Sequence, residues 1–107
     1  MPKVTAKYQA LHQLVRLAFT AAYRKDKALP EDERGLLTSA QLKRVSYIPN
    51  TPETTHVLQT LRGWGHLEAR FQAGKYEFQY RLKKAHHIKD KLETNYEKDY
   101  WQLRGIE

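Results

Sequence analysis

The chain has no cysteine, one methionine and two serines, Ser39 and Ser46, in 107 residues. Without cysteine there is no disulfide scaffold, no thiol nucleophile and no thiolate zinc site. The two serines lack a G-x-S-x-G setting, which argues against a serine hydrolase. No apolar run approaches the ~18 residues of a membrane span, and mean hydropathy is −0.81. The opening Met1-Pro2-Lys3-Val4 carries no apolar block of the signal-peptide kind. Glycine and proline are sparse, five and four, so no collagenous or low-complexity segment is present. Gly63-Trp64-Gly65 stops at two glycines, and neither a P-loop nor G-x-G-x-x-G occurs. These absences argue against an enzyme and against a bound cofactor. The expectation is a single domain over 1–107, away from membranes, in the cytoplasm or associated with the nucleoid.

What the chain has is positive charge. Nineteen Lys and Arg face 12 Asp and Glu, a net charge of +7, with a pI near 9.7. The excess is uneven. Residues 1–27 carry six positive side chains against one negative, and residues 42–84 carry eight against three. Residues 28–41 are acidic on balance, and residues 85–107 are close to neutral. Such a surface concentrates polyanions, so nucleic acid is the first partner to consider.

Hydrophobic period divides the chain. Over 4–25, Val4, Tyr8, Leu11, Val15, Ala18, Phe19 and Ala22 recur at helical spacing. Ala10, Leu14, Leu17 and Ala21 widen that stripe beyond half the helix, which calls for cover on more than one side. Residues 26–36 read as a wet linker punctuated by Pro30 and Gly35. A helix is expected over 38–48, with Thr38 and Gln41 in capping-box spacing and Leu37 and Leu42 as a staple. A second helix is expected over 52–62, started by Thr51 and Pro52. The period then falls to two over 66–82, a β-hairpin turning at Ala73-Gly74. Helical period returns over 84–104, with Gly105 as the stop.

This order resembles the winged helix-turn-helix superfamily over residues 37–82. Leu37-Thr38-Ser39-Ala40-Gln41-Leu42 is similar to the opening of the first helix of a helix-turn-helix. Thr51-Pro52-Glu53-Thr54-Thr55-His56-Val57-Leu58-Gln59-Thr60-Leu61 is similar to a recognition helix, and Gly65-His66-Leu67-Glu68-Ala69-Arg70 to the first wing strand. Lys43 and Tyr47-Ile48-Pro49-Asn50 depart from the small residue and glycine turn usual there. The resemblance implies a winged helix-turn-helix, and with the long N-terminal and C-terminal flanking helices read from the hydrophobic period the expected fold is α+β and mainly helical. It also implies sequence-specific binding of double-stranded DNA by a small transcriptional regulator.

The residues support that reading independently. Opposite Val57, Leu58 and Leu61 lie Thr55, His56, Gln59 and Thr60, with Arg62 at the edge. Gln pairs with adenine, Thr meets a base edge or the thymine methyl, and His or Arg reaches guanine. Lys43, Arg44 and Tyr47 are candidate phosphate contacts from the short helix, and Arg70 and Lys75, with Arg81 behind them, from the wing. A homodimer is expected through the broad arc of the first helix and the last helix, using Leu14, Leu17, Ile88, Leu92, Tyr96, Tyr100 and Trp101. Two alternatives stand beside this reading. One is a winged-helix module that binds a protein partner without reading a groove. The other is RNA binding, with Tyr76, Phe78 and Tyr80 as stacking platforms, although their alternation favours core packing. The five histidines are dispersed, His86 and His87 cannot share a helical face, and no metal site is expected.

Overall fold

The computed structural model describes residues 6–45, 48–72, 74 and 77–88. Helix α1, Ala6–Lys25, closes with Arg24 and Lys25 in its last turn, where cations meet the negative end of the dipole. Every residue from Val15 to Ala22 except Arg16 is buried. The C-terminal half of the broad apolar arc is therefore filled within one chain, while Ala10 is exposed and Tyr8 and Leu14 are half-buried. Thr20 sits inside that arc because its hydroxyl donates to the Arg16 carbonyl at 2.9 Å.

Residues 26–36 are not a free linker. Asp26 is buried, and its carboxylate accepts the Gly35 N–H at 3.0 Å. Gly35 has φ +74°, and a Cβ there would lie 3.1 Å from Tyr23 Cβ. Arg34 donates to the Leu29 carbonyl at 2.8 Å and to that of Lys27 at 3.3 Å. The acidic residues form a 3-10 turn, Glu31–Glu33, which Arg81 grips through the Glu31 and Asp32 carbonyls.

Leu37–Thr38 form strand β1, and Thr38 at once caps helix α2, Ser39–Lys43. The capping box is complete. Gln41 N–H donates to Thr38 Oγ1 at 3.1 Å, and Thr38 N–H donates to Gln41 Oε1 at 2.9 Å. The helix expected over 38–48 stops early. From Arg44 the backbone bonds span three residues, Arg44 to Gln41, Val45 to Leu42 and Ile48 to Val45. This tighter winding still buries Val45 and Ile48, and Pro49 has no N–H to continue. Leu37 is a fully buried strand residue in register with Tyr80 and shares the core with Leu42.

Helix α3, Pro52–Gly63, has Pro52 in its first turn and buries Thr54, Val57, Leu58 and Leu61. Thr51 occupies the N-cap without using its side chain, while Thr54 Oγ1 donates to the Pro49 carbonyl at 2.6 Å. The C-terminus is a Schellman motif: His66 N–H donates to the Leu61 carbonyl and Gly65 N–H to that of Arg62, both at 3.0 Å. Gly65 supplies the required positive φ, +74°.

Strands β2, Leu67–Gln72, and β3, Glu77–Leu82, form the expected hairpin. Leu67 pairs with Leu82, Ala69 with Tyr80, and Phe71 with Phe78. β1 adds to the far side of β3, giving an antiparallel sheet in the order β1-β3-β2. The helix expected from residue 84 does not begin there. Lys84–His86 form a 3-10 turn, and His87 is extended at φ −62°, ψ 140°. Three side chains of α1 hold this strap. Arg16 donates to the His86 carbonyl at 2.6 and 3.1 Å, and Arg24 to that of Ile88 at 3.1 Å. Ile88 N–H donates to Thr20 Oγ1 at 3.2 Å. Residues 89–104 of the expected helix lie outside the described residues.

Among the described residues the result is a small, mainly helical α+β domain of three helices and a three-stranded antiparallel sheet. One core joins α1, α2 and α3 to the base of the sheet, from Leu11 and Phe19 through Leu42 and Leu61 to Leu67 and Leu82. No helix among the described residues is long and apolar enough to cross a membrane.

Candidate functional site

Burying Thr54, Val57, Leu58 and Leu61 fixes which way α3 turns its other side. His56, Gln59 and Arg62 are exposed, and Thr55 and Thr60 are half-buried at the margins. Past Glu53 in the first turn the helix carries no carboxylate. Lys43, at the end of α2, reaches across to α3 and donates to Thr55 Oγ1 at 2.7 Å. With Asn50, Thr51, Pro52, His56 and Gln59, these two residues line one open depression. Lys43, Thr55, His56 and Gln59, expected from sequence to act together, are therefore neighbours. Arg44 is exposed beside them.

Thr60 lies on the other margin. Its hydroxyl donates to the His56 carbonyl at 2.9 Å and lies 3.1 Å from the Tyr8 hydroxyl of α1. Arg62 leans over the hairpin instead. Its guanidinium stands 5.5 Å from the Phe78 ring centre and 5.8 Å from that of Tyr80. Arg70 is exposed but shares a strand face with Glu68, opposite the face that bears Phe71. Arg81 is taken up structurally, donating to Glu68 at 2.7 and 3.0 Å as well as to the acidic turn. Tyr47 and Lys75 lie outside the described residues.

Of the residues expected at a subunit interface, Leu17 is fully buried inside the chain and offers no surface to a second copy. Leu14 packs against the core, and Ile88 is half-buried beside α1. Leu92, Tyr96, Tyr100 and Trp101 lie outside the described residues.

Two features were not read from the sequence. The first is the exposure of Phe71 and Phe78. The second is a line of rings that runs from α3 across α1 to the strap. His56 and His12 flank Tyr8 at 5.8 and 6.1 Å, and Trp64 lies 5.2 Å from His12. His66 follows Trp64 at 5.4 Å and stacks on His86 at 3.7 Å. Burial, helped by the Arg16 and His66 charges, holds the His12 imidazole below its ordinary pKa, and His12 Nε2 is buried without a hydrogen bond among the described residues. His66 is lowered by burial and then by His86, Arg16 and Lys83. His87 is lowered by burial, against a hydrogen bond to the Leu82 carbonyl that favours its charged form. Face-to-face stacking aims the nitrogens of His66 and His86 past each other. Among the described residues no three His, Asp or Glu side chains group as metal ligands. Sequence gave no sign of this line, because its members come from four separate segments.

Comparison with protein-family models, curated proteins and solved structures finds no significant match to this chain.

Proposed function

We propose that the chain is a winged helix-turn-helix protein that binds double-stranded DNA, with α3 as the helix that enters the major groove, and that it acts as a small transcriptional regulator. The observation that carries this is the outward face of α3: His56 and Gln59 exposed, no carboxylate after the first turn, and Lys43 alongside. A helix seated in a major groove needs one side in the core and the other free and uncharged or cationic. The order of elements supports the reading, since α1-β1-α2-α3-β2-β3 with a β1-β3-β2 sheet is compatible with a helix-turn-helix followed by a wing. Of the α1 arc that points to a homodimer, Leu17 and Ala21 are buried within the chain, while Ala10 is exposed and Leu14 half-buried; a homodimer stays part of the proposal.

Gln59 is assigned to base reading with His56, and Thr55 and Thr60 make smaller contributions from the margins. Lys43 and Arg44 are assigned to phosphate. Base contacts carry sequence information and phosphate contacts do not, so mutation separates the two classes. After selection of a preferred duplex from random DNA, Gln59→Ala costs about 1–3 kcal/mol on that site and little on random sequence. Arg44→Ala weakens both alike and lowers the salt slope by about one. Binding to the selected duplex that is indifferent to both substitutions overturns the proposal. The second reading, a protein-interaction module of the same shape, then takes its place.

A further inference from the structure

We infer that Phe71, Phe78 and Arg62 form a stacking site for an unpaired base of DNA, beside the duplex that α3 holds. The inference rests on the duplex-binding reading above and adds a second class of contact to it.

Strand alternation puts Leu67, Ala69 and Phe71 of β2 and Phe78, Tyr80 and Leu82 of β3 on one face. At the base of the hairpin that face is core, with Leu67 and Leu82 buried. Two register steps further out it has left the helices behind. Phe71 is 50% exposed and Phe78 45%. Their rings touch at 5.1 Å, and Tyr80 continues the row, 6.4 Å from Phe78 and only 21° from parallel.

Exposed rings alone do not say what covers them. Arg62 does. Its guanidinium lies over Phe78 and Tyr80, so the patch is aromatic and cationic together. An apolar peptide laid on the rings would strip water from that guanidinium and return nothing to it. A nucleotide satisfies both groups, with a π-face for the rings and an anionic phosphate for the arginine. No carboxylate shares this strand face. Glu68 and Glu77 project from the other one, and Arg81 engages Glu68. A base inside a duplex is stacked on both sides and has no face to offer. The ligand is therefore an unpaired base, in an overhang or an opened step. Arg62 belongs to the last turn of α3, so the site adjoins the proposed duplex-binding helix at its C-terminal end.

The experiment compares a blunt duplex with the same duplex carrying three unpaired thymines, at the 5′ or the 3′ end, by fluorescence anisotropy at fixed salt. One of the two overhangs is expected to bind about tenfold more tightly than the blunt form, the scale of one base stacked on a protein ring. The Phe71→Ala/Phe78→Ala double variant removes that gain and leaves blunt-duplex affinity within about twofold. Both side chains project from the core, and circular dichroism checks that the fold is retained. Phe71→Tyr/Phe78→Tyr keeps the gain. Blunt duplex bound with no gain from either overhang, or a gain that survives the alanine variant, overturns the stacking site and leaves the reading of α3 standing. Failure of the unmodified protein to bind any of the duplexes overturns both.

Discussion

Gly35 and Asp26 show how much a single position can hold. Asp26 closes the end of α1, and its carboxylate reaches nine residues forward to the Gly35 amide. Gly35 meets it only by adopting a left-handed conformation tight against Tyr23. Gly35→Ala is expected to cost about 1–3 kcal/mol, from backbone strain and from a Cβ placed 3.1 Å from Tyr23 Cβ. Urea denaturation checks it, with a lower midpoint and an unchanged slope. A midpoint equal to that of the parent would mean that the turn relaxes without loss. In the sequence Gly35 reads only as punctuation and Asp26 only as charge. Their meaning lies in a pairing across a turn, which local periodicity does not encode.

Among the elements, α3 and the hairpin were legible because each carries a strong local code. Pro52 opens the helix and Gly65 closes its Schellman motif, and the period of two runs through both strands. The end of α2 was not legible, because Leu42, Val45 and Ile48 are spaced alike for an α-helix and for the three-residue turns that replace it. β1 was hidden for a different reason. A two-residue strand has no period, and it exists only because β3 supplies its partner. Alternation favours core packing for Phe78, which is exposed, because alternation says which face a residue takes, not how far the covering helices extend. Thr38 belongs to strand and cap at once. Thr38→Ala is expected to cost about 1 kcal/mol as a lost cap. Adding Gln41→Ala should cost less than the two single changes together, since both break the same reciprocal pair. Full additivity in thermal or urea unfolding would show that the two hydrogen bonds act separately.

For the whole molecule, the histidines make stability depend on pH. His12, His66 and His87 all have folded pKa values below their ordinary range. Below about pH 6.5 the unfolded chain takes up protons that the fold resists. Unfolding free energy should therefore hold steady above that pH, as far as these groups are concerned, and fall as the pH drops through 6 and 5. Glu31, held below its ordinary value mainly by its hydrogen bond to Lys84, adds loss only in the more acidic carboxylate range. Urea midpoints at pH 7.5, 6.5 and 5.5 check the sign, and a midpoint that rises on acidification would contradict it. None of this was visible in the sequence, where the histidines appear scattered and only the fold brings Arg16, His66 and His86 together.

The strap from Lys83 to Ile88 is held unequally. Its hydrogen bonds to α1 come from the side chains of Arg16, Thr20 and Arg24, while the strap answers with the His86 and Ile88 carbonyls and the Ile88 amide. Main-chain groups are present whatever residue occupies a position, proline's missing N–H aside. Inheritance of these hydrogen bonds therefore rests on three positions of the first helix. Residues 86 and 88 can drift through many identities without loosening them, whereas a single change at Arg16 removes two of them.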